Sequence, residues 1–185
     1  MAKVKTPTPT KIITTLGFTT TEAFQAAWNL GPALTVDGKI GPATKAAALT
    51  SWGRHLHNRP DLSEHFSTSD FRCHCGGKYA GCQGVLVQRD LLIGLEVLRT
   101  RAYPRGLVIV SGYRCERHNA KVNGADGSKH VLGQAADIKG TVPIATMKSF
   151  QLFGGIGYKR STGKVTHVDC RRVSHTNPTV WIYNS

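Results

Sequence analysis

Hydrophobic positions change their period several times along this 185-residue chain, and each change marks an element. In TTEAFQAAWNL (20–30), Phe24, Ala27 and Trp28 recur at helix-face spacing, with threonines in front to cap the first turn. LTVDGKIGPATKAAAL follows (34–49). Its Asp37-Gly38 pair reads as a turn, and Gly41-Pro42 ends one element and places proline at the first turn of the next helix. The pattern stays helical and compact from Thr20 to about Leu56. Ahead of it, residues 1–12 are rich in Thr, Pro and Lys and are expected to form a loose tail. SWGRHLHNRPDLSEHFSTSDF (51–71) reads as a polar link, in which His55, His57 and His65 are expected to be solvated or hydrogen-bonded rather than ligands.

Beyond the link the periods alternate. GVLVQRDLLIGLEVLRTRAY (84–103) carries Leu91, Leu92, Leu95, Val97 and Leu98 as a mostly amphipathic helix. GLVIVSGYR (106–114) reads as a buried strand rich in β-branched residues, ERHNAKV (116–122) as a short helix, and NGADGS as a loop. QAADIKG (134–140) predicts a short strand and VPIATMKSFQLF (142–153) a helix with Pro143 near its start. GGIGYKRSTGKVTHVDCR (154–171) predicts a hairpin turning at Ser-Thr-Gly, and the tail with Trp181 and Tyr183 is expected to pack back on the sheet. The sum is an α+β chain dividing near residue 60. Residues 1–58 hold a tail and a small three-helix domain. Residues 59–185 hold a mainly antiparallel sheet with flanking helices.

Charge narrows the partners. Lys and Arg number 24 against 11 Asp and Glu, a formal +13, and both halves share the excess. Such a chain is drawn to polyanions, but no helix-turn-helix, zinc-finger or RNA-recognition signature accompanies the charge. Attraction to anionic cell-envelope polymers therefore ranks above specific nucleic-acid binding. No apolar run is long enough to span a bilayer. MAKVKTPTPTKIITT has early lysines but no apolar stretch or cleavage site, so it does not read as a secretory signal peptide.

The five cysteines are Cys73, Cys75, Cys82, Cys115 and Cys170, an odd count. Cys73, Cys75 and Cys82 offer three thiols for a second, structural metal site, in a spacing that is not a standard zinc knuckle; ordinary free thiols are the competing reading. Cys115 and Cys170 each follow a motif strand, which leaves a disulfide between them open.

The chemistry concentrates in SKHVLGQAAD (128–137), answered by THVD (166–169). His130, Asp137 and His167 supply two imidazoles and one carboxylate, the donor set of a catalytic zinc with one position left for water. His130 and Asp137 stand seven apart with Gly133 between them, which suits a loop ligand followed by a strand ligand rather than two ligands on a helix. Amide hydrolysis also needs a base, an oxyanion partner and a substrate clamp. Asp169 lies two residues from His167 on the expected strand, so both project to one face. It is the nearest candidate for the base, or else orients a zinc ligand. Ser128 and Gln134 either hydrogen-bond around the site or shape its loop. His118 is expected on the surface, and His175 carries no spacing cue.

The elements SGYR (111–114), His118-Asn119, Ser128-x-His-x-x-Gly-x-Ala-x-Asp137 and His167-Val-Asp169 together resemble the M15 family of zinc D-Ala-D-Ala carboxypeptidases and L,D- or D,D-endopeptidases of peptidoglycan, over roughly Leu62 to Arg172. The resemblance implies zinc on His130, Asp137 and His167, and an Arg114 that binds substrate carbonyl or carboxylate. Many members carry an acid three residues before the last zinc histidine. Here that position is Lys164, with Val165 where some have a histidine, so the base is left open.

Phe24-Gln25, Trp28, Leu34 to Gly38, Ile40 to Thr44 and Ala47 to Leu49 resemble the three-helix peptidoglycan-binding domain. The two resemblances, the lack of a readable export signal and the basic charge together resemble a modular phage endolysin, expected as a monomer. It would wait in a host cytoplasm and cut wall peptide once released. The alternative is a non-catalytic peptidoglycan-binding protein that keeps an M15-like metal site. Which peptide bond is cut stays open.

Overall fold

The computed structural model describes residues 6–171 and 175–183. Three helices come first: α1 (Pro9–Leu16), α2 (Thr21–Ala27) and α3 (Pro42–Leu56). Thr8 caps α1 by accepting from the Lys11 amide at 3.3 Å, and Thr20 caps α2 by accepting from the Ala23 amide at 3.1 Å. The expected loose tail is therefore corrected: α1 starts within it and buries Ile12, Ile13 and Leu16, while residues 1–5 lie outside the described residues. The Pro and Thr content that suggested a tail instead starts the helix, with proline at its first position.

Buried Gln25 ties this unit together. Its Oε1 accepts from the Asp37 and Gly38 amides at 3.1 and 2.9 Å, and its Nε2 donates to Asp37 Oδ1 at 2.9 Å and Thr44 Oγ1 at 3.0 Å. One side-chain amide thus locks the Val-Asp-Gly turn to the start of α3.

The stretch expected to be a polar link contributes core instead. Leu62, Phe66 and Phe71 are buried, the last at the end of a 3-10 turn, Thr68–Phe71. Buried Asp61 holds the local backbone by accepting from the Thr68 amide at 2.8 Å. His55 pairs with Asp61 and His65 with Glu96, so these histidines are hydrogen-bonded.

The second half contains α4 (Arg89–Ala102), β1 (Ile109–Ser111), α5 (Glu116–Lys121), β2 (Ala135–Ile138), α6 (Ile144–Phe150), β3 (Gly155–Lys159), β4 (Val165–Asp169) and β5 (Thr179–Tyr183). The sheet order is β1-β2-β4-β3-β5, antiparallel except for the β3–β5 pair. The chain is α+β. α4 buries Leu91, Leu92, Leu95 and Leu98, each contributing on the order of 2 kcal/mol by leaving water. The strand read as buried in 106–114 is corrected: β1 has three residues and lies at the sheet edge, with Val108 and Val110 more than half exposed. Pairing with β2 alone leaves its outer face unpacked.

Ile12, Leu16, Phe18 and Phe24 share one core cluster with Leu62, Val85, Leu91 and Leu95. Arg89, at the start of α4, donates to the carbonyls of Trp28 and Gly31. Among the described residues no helix is long and apolar enough to cross a membrane.

Candidate metal centre and cleft

Sheet register builds the site. Asp137 on β2 lies directly opposite His167 on β4, and Ser111 on β1 lies opposite Asp137. His130 reaches the same point from the turn before β2. That turn needs Gly133, whose φ of +64° and approach to the Leu86 carbonyl exclude a β-carbon. The three predicted ligands therefore meet. His130 Nε2 stands 3.2 Å from Asp137 Oδ1 and 3.2 Å from His167 Nδ1, and His167 Nδ1 stands 2.8 Å from Asp137 Oδ1.

The tautomers follow from what lies behind each ring. His130 Nδ1 donates to the Gly112 carbonyl at 2.7 Å, which leaves Nε2 a bare lone pair. His167 Nε2 faces Asp169 Oδ2 at 3.3 Å, and a proton held there leaves Nδ1 bare for a metal. Two bare nitrogens and a carboxylate converging at about hydrogen-bond distance repel one another unless a cation sits between them. The donor set, all within 4.8 Å, fits a zinc ion. Burial raises the Asp137 carboxyl, and where the two neighbouring rings carry protons toward it in place of a cation they more than reverse that effect.

Asp169 is fully buried behind His167 rather than in the cleft. Arg171 grips it: Nε lies 2.8 Å from Oδ1, Nη2 lies 2.6 Å from Oδ2, and the Arg171 amide lies 3.0 Å from Oδ1. Burial again raises this carboxyl, and His167 and Arg171 more than reverse the effect. The carboxylate has room because Gly155 lies opposite; a β-carbon there would sit 2.3–2.5 Å from it.

Arg114, just past β1, anchors its Nε on Ser111 Oγ at 3.0 Å. Its Nη2 contacts Asp137 Oδ2 and lies 3.1 Å from His130 Nε2. Its ion-pair partner is Asp137.

The cleft over this cluster encloses about 1180 Å³, and its lining includes Arg114, Lys129, Lys139, Lys159, Lys164 and Arg171. Against these cations stand Asp126 and Asp137. Ser128 lines the cleft, whereas Gln134 faces a separate recess on the other side of the His130 turn. His118 meets His74 edge to face and does not line the cleft, while neighbouring Asn119 shapes the cleft loop by donating to the Ala125 carbonyl at 3.1 Å. His175 is exposed.

Trp181 and Tyr183 also line the cleft. The Trp181 ring lies 5.0 Å from that of His167 and under the Arg171 guanidinium at 4.9 Å. The sequence predicts only that they pack back on the sheet. Their period-two spacing on a terminal strand was the available signal. The disulfide that the sequence leaves open between Cys115 and Cys170 is not formed. All five thiols are free, and Cys170 faces the Gln134 carbonyl while Cys115 lies with Cys73, Cys75 and Cys82.

The family model described as Peptidase M15 matches residues 64–169, which hold every residue of the metal cluster. No curated protein matches the chain.

Proposed function

The chain belongs to the M15 peptidase family, and from that premise we propose that it cuts a peptide bond of peptidoglycan, with zinc held by His130, Asp137 and His167. The observation that carries this reading is the convergence of two bare imidazole nitrogens and one carboxylate at the floor of a cationic cleft. Zinc there supplies a Lewis acid that activates water and polarises the scissile carbonyl. The chain's residues do the rest. His130 and His167 are held in their binding tautomers by the Gly112 carbonyl and by Asp169. Arg114, tethered to Ser111, offers guanidinium N–H groups to a developing oxyanion or a substrate carboxylate. The basic wall matches stem peptides, which carry several carboxylates.

Asp169 orients His167 in this reading and does not take the proton from water, because it is buried behind the ring. Arg114 is the catalytic residue outside the metal set. The Gln25-centred helical unit binds wall polymer, and residues 1–58 and 59–185 act as targeting and cutting modules. The enzyme works as a monomer in the manner of a phage endolysin, held in the host cytoplasm until released to the wall.

Purified murein sacculi decide the matter. The intact protein should clear them and lose that activity to a chelator, and His167→Ala should lack both the activity and one zinc per chain. Binding without clearing, in zinc-replete protein, would identify a wall-binding protein that keeps only the metal site. Mass spectrometry of the released muropeptides names the bond.

A further inference from the structure

A second cluster lies on the other side of Arg114. Cys73, Cys75, Cys82 and Cys115 bring four sulfurs within 4.8 Å of one another. Cys75 and Cys82 stand 3.4 Å apart, and Cys75 and Cys115 stand 3.9 Å apart. Disulfide sulfurs lie about 2.05 Å apart. Four sulfurs about 2.3 Å from one tetrahedral zinc lie about 3.8 Å from each other. The observed spacings match the edges of that tetrahedron.

The surrounding chain is arranged for thiolates. The Cys115 amide donates to Cys73 Sγ at 3.4 Å. Such a donor stabilises sulfur carrying negative charge. Segment 73–84 is otherwise held by turns and backbone hydrogen bonds, such as the Cys73 amide to the Gly84 carbonyl at 2.8 Å. It forms no helix or regular strand, and its buried residues are Cys73 and Cys75. Its turns rest on Gly76, Gly77, Gly81 and Gly84, all at positive φ. A segment that buries almost nothing apolar needs a cross-link or a metal to hold it.

We propose that Cys73, Cys75, Cys82 and Cys115 bind a second, structural zinc ion, separate from the one in the cleft. All four positions are filled by sulfur, so this site has no opening for water or substrate. The sequence alone showed three of the ligands. The fourth, Cys115, is brought in by tertiary structure from the residue next to Arg114. The ion therefore clamps the 73–84 loop to the end of β1, beside the arginine that faces the cleft. Tyr113 reinforces the clamp, since its amide donates to the Phe71 carbonyl at 3.1 Å and its ring packs among the sulfurs.

The test counts zinc by origin. Protein prepared under reducing conditions without chelator should hold two zinc ions per chain, one of them released by a thiol-directed mercurial. His167→Ala should keep the mercurial-released ion, so this readout does not depend on the histidine site. Cobalt added to zinc-stripped His167→Ala should give intense thiolate-to-metal charge transfer and the strong visible bands of a tetrahedral sulfur site. Cys115→Ser in that background should abolish both signals. If that variant does not fold, the cobalt spectrum of its parent still decides. Reduced, zinc-replete protein with no mercurial-released zinc and no such spectrum would overturn the proposal, as would a native mass showing two disulfides among these four cysteines.

Discussion

Replacing Asp169 by asparagine tests how the centre is held, because the change keeps size and removes only charge and one acceptor. Asp169 Oδ1 accepts from the amide and Nε of Arg171, and Oδ2 accepts from Arg171 Nη2 and from His167 Nε2. An asparagine NH₂ in the Oδ1 position meets two donors of Arg171. In the Oδ2 position it meets Arg171 Nη2 and points an N–H at His167 Nε2. The second orientation favours the wrong imidazole tautomer, with the proton on the metal-facing Nδ1. Loss of such an orienting partner typically weakens metal affinity or activity by about 10–100-fold, or about 1.4–2.8 kcal/mol. The unpaired Arg171 adds a stability loss of about 1–3 kcal/mol. Zinc affinity by chelator competition and kcat against added zinc should be measured on one preparation. Weakened affinity with activity restored by excess zinc is the expected result. Unchanged affinity with a kcat loss of about a hundredfold or more would refute the orienting role and make Asp169 the general base.

Gly155→Ala should act on the same carboxylate from the opposite strand. Its β-carbon would meet a side chain pinned by Arg171, so a stability loss of about 1–3 kcal/mol and weaker zinc binding are expected; a normal melting temperature and normal affinity would show that the carboxylate can move aside. Glu96 accepts from Ser63 Oγ at 2.6 Å and from the His65 amide at 2.8 Å. Burial raises its pKa, but the bonds from Ser63 and His65 outweigh that and leave it below the usual glutamate value. Its contribution is thus complete above the unfolded pKa of about 4.3 and is lost as pH falls through the folded one. Glu96→Gln should cost about 1 kcal/mol at neutral pH, and the gap in denaturant midpoint should shrink in acid; a gap constant with pH would contradict the assignment. Deleting residues 1–58 should lower the melting temperature, because it strips Ile12, Leu16, Phe18 and Phe24 from a shared core and frees Arg89. A truncated protein as stable as the intact chain would show that the helical unit folds apart.

Much of the fold follows from local rules. The helix over Arg89–Ala102, the hairpin of β3 and β4, the cap at Thr20 and the helix start at Pro42 arise from periodicity and turn residues within a few positions of each other. Local rules misjudged α1, where proline and threonine start a helix as readily as they fill a tail. They also misjudged β1, whose β-branched run says nothing about whether a strand is central or at the edge.

The convergence of the candidate ligands His130, Asp137 and His167 was legible because their residue types and spacing carry the chemistry before any folding. Their roles were not. The position of Asp169 behind His167, on which the proposed orienting role rests, depends on β4 packing against Gly155 of β3. The entry of Trp181 and Tyr183 into the cleft depended on β5 adding in parallel to β3. The grouping of Cys115 with Cys73, Cys75 and Cys82 joined positions some forty residues apart. Sequence specifies what a side chain can do and where its near neighbours point. Distances between remote segments are set by sheet register and core packing, and those exist only once the whole chain has closed on itself.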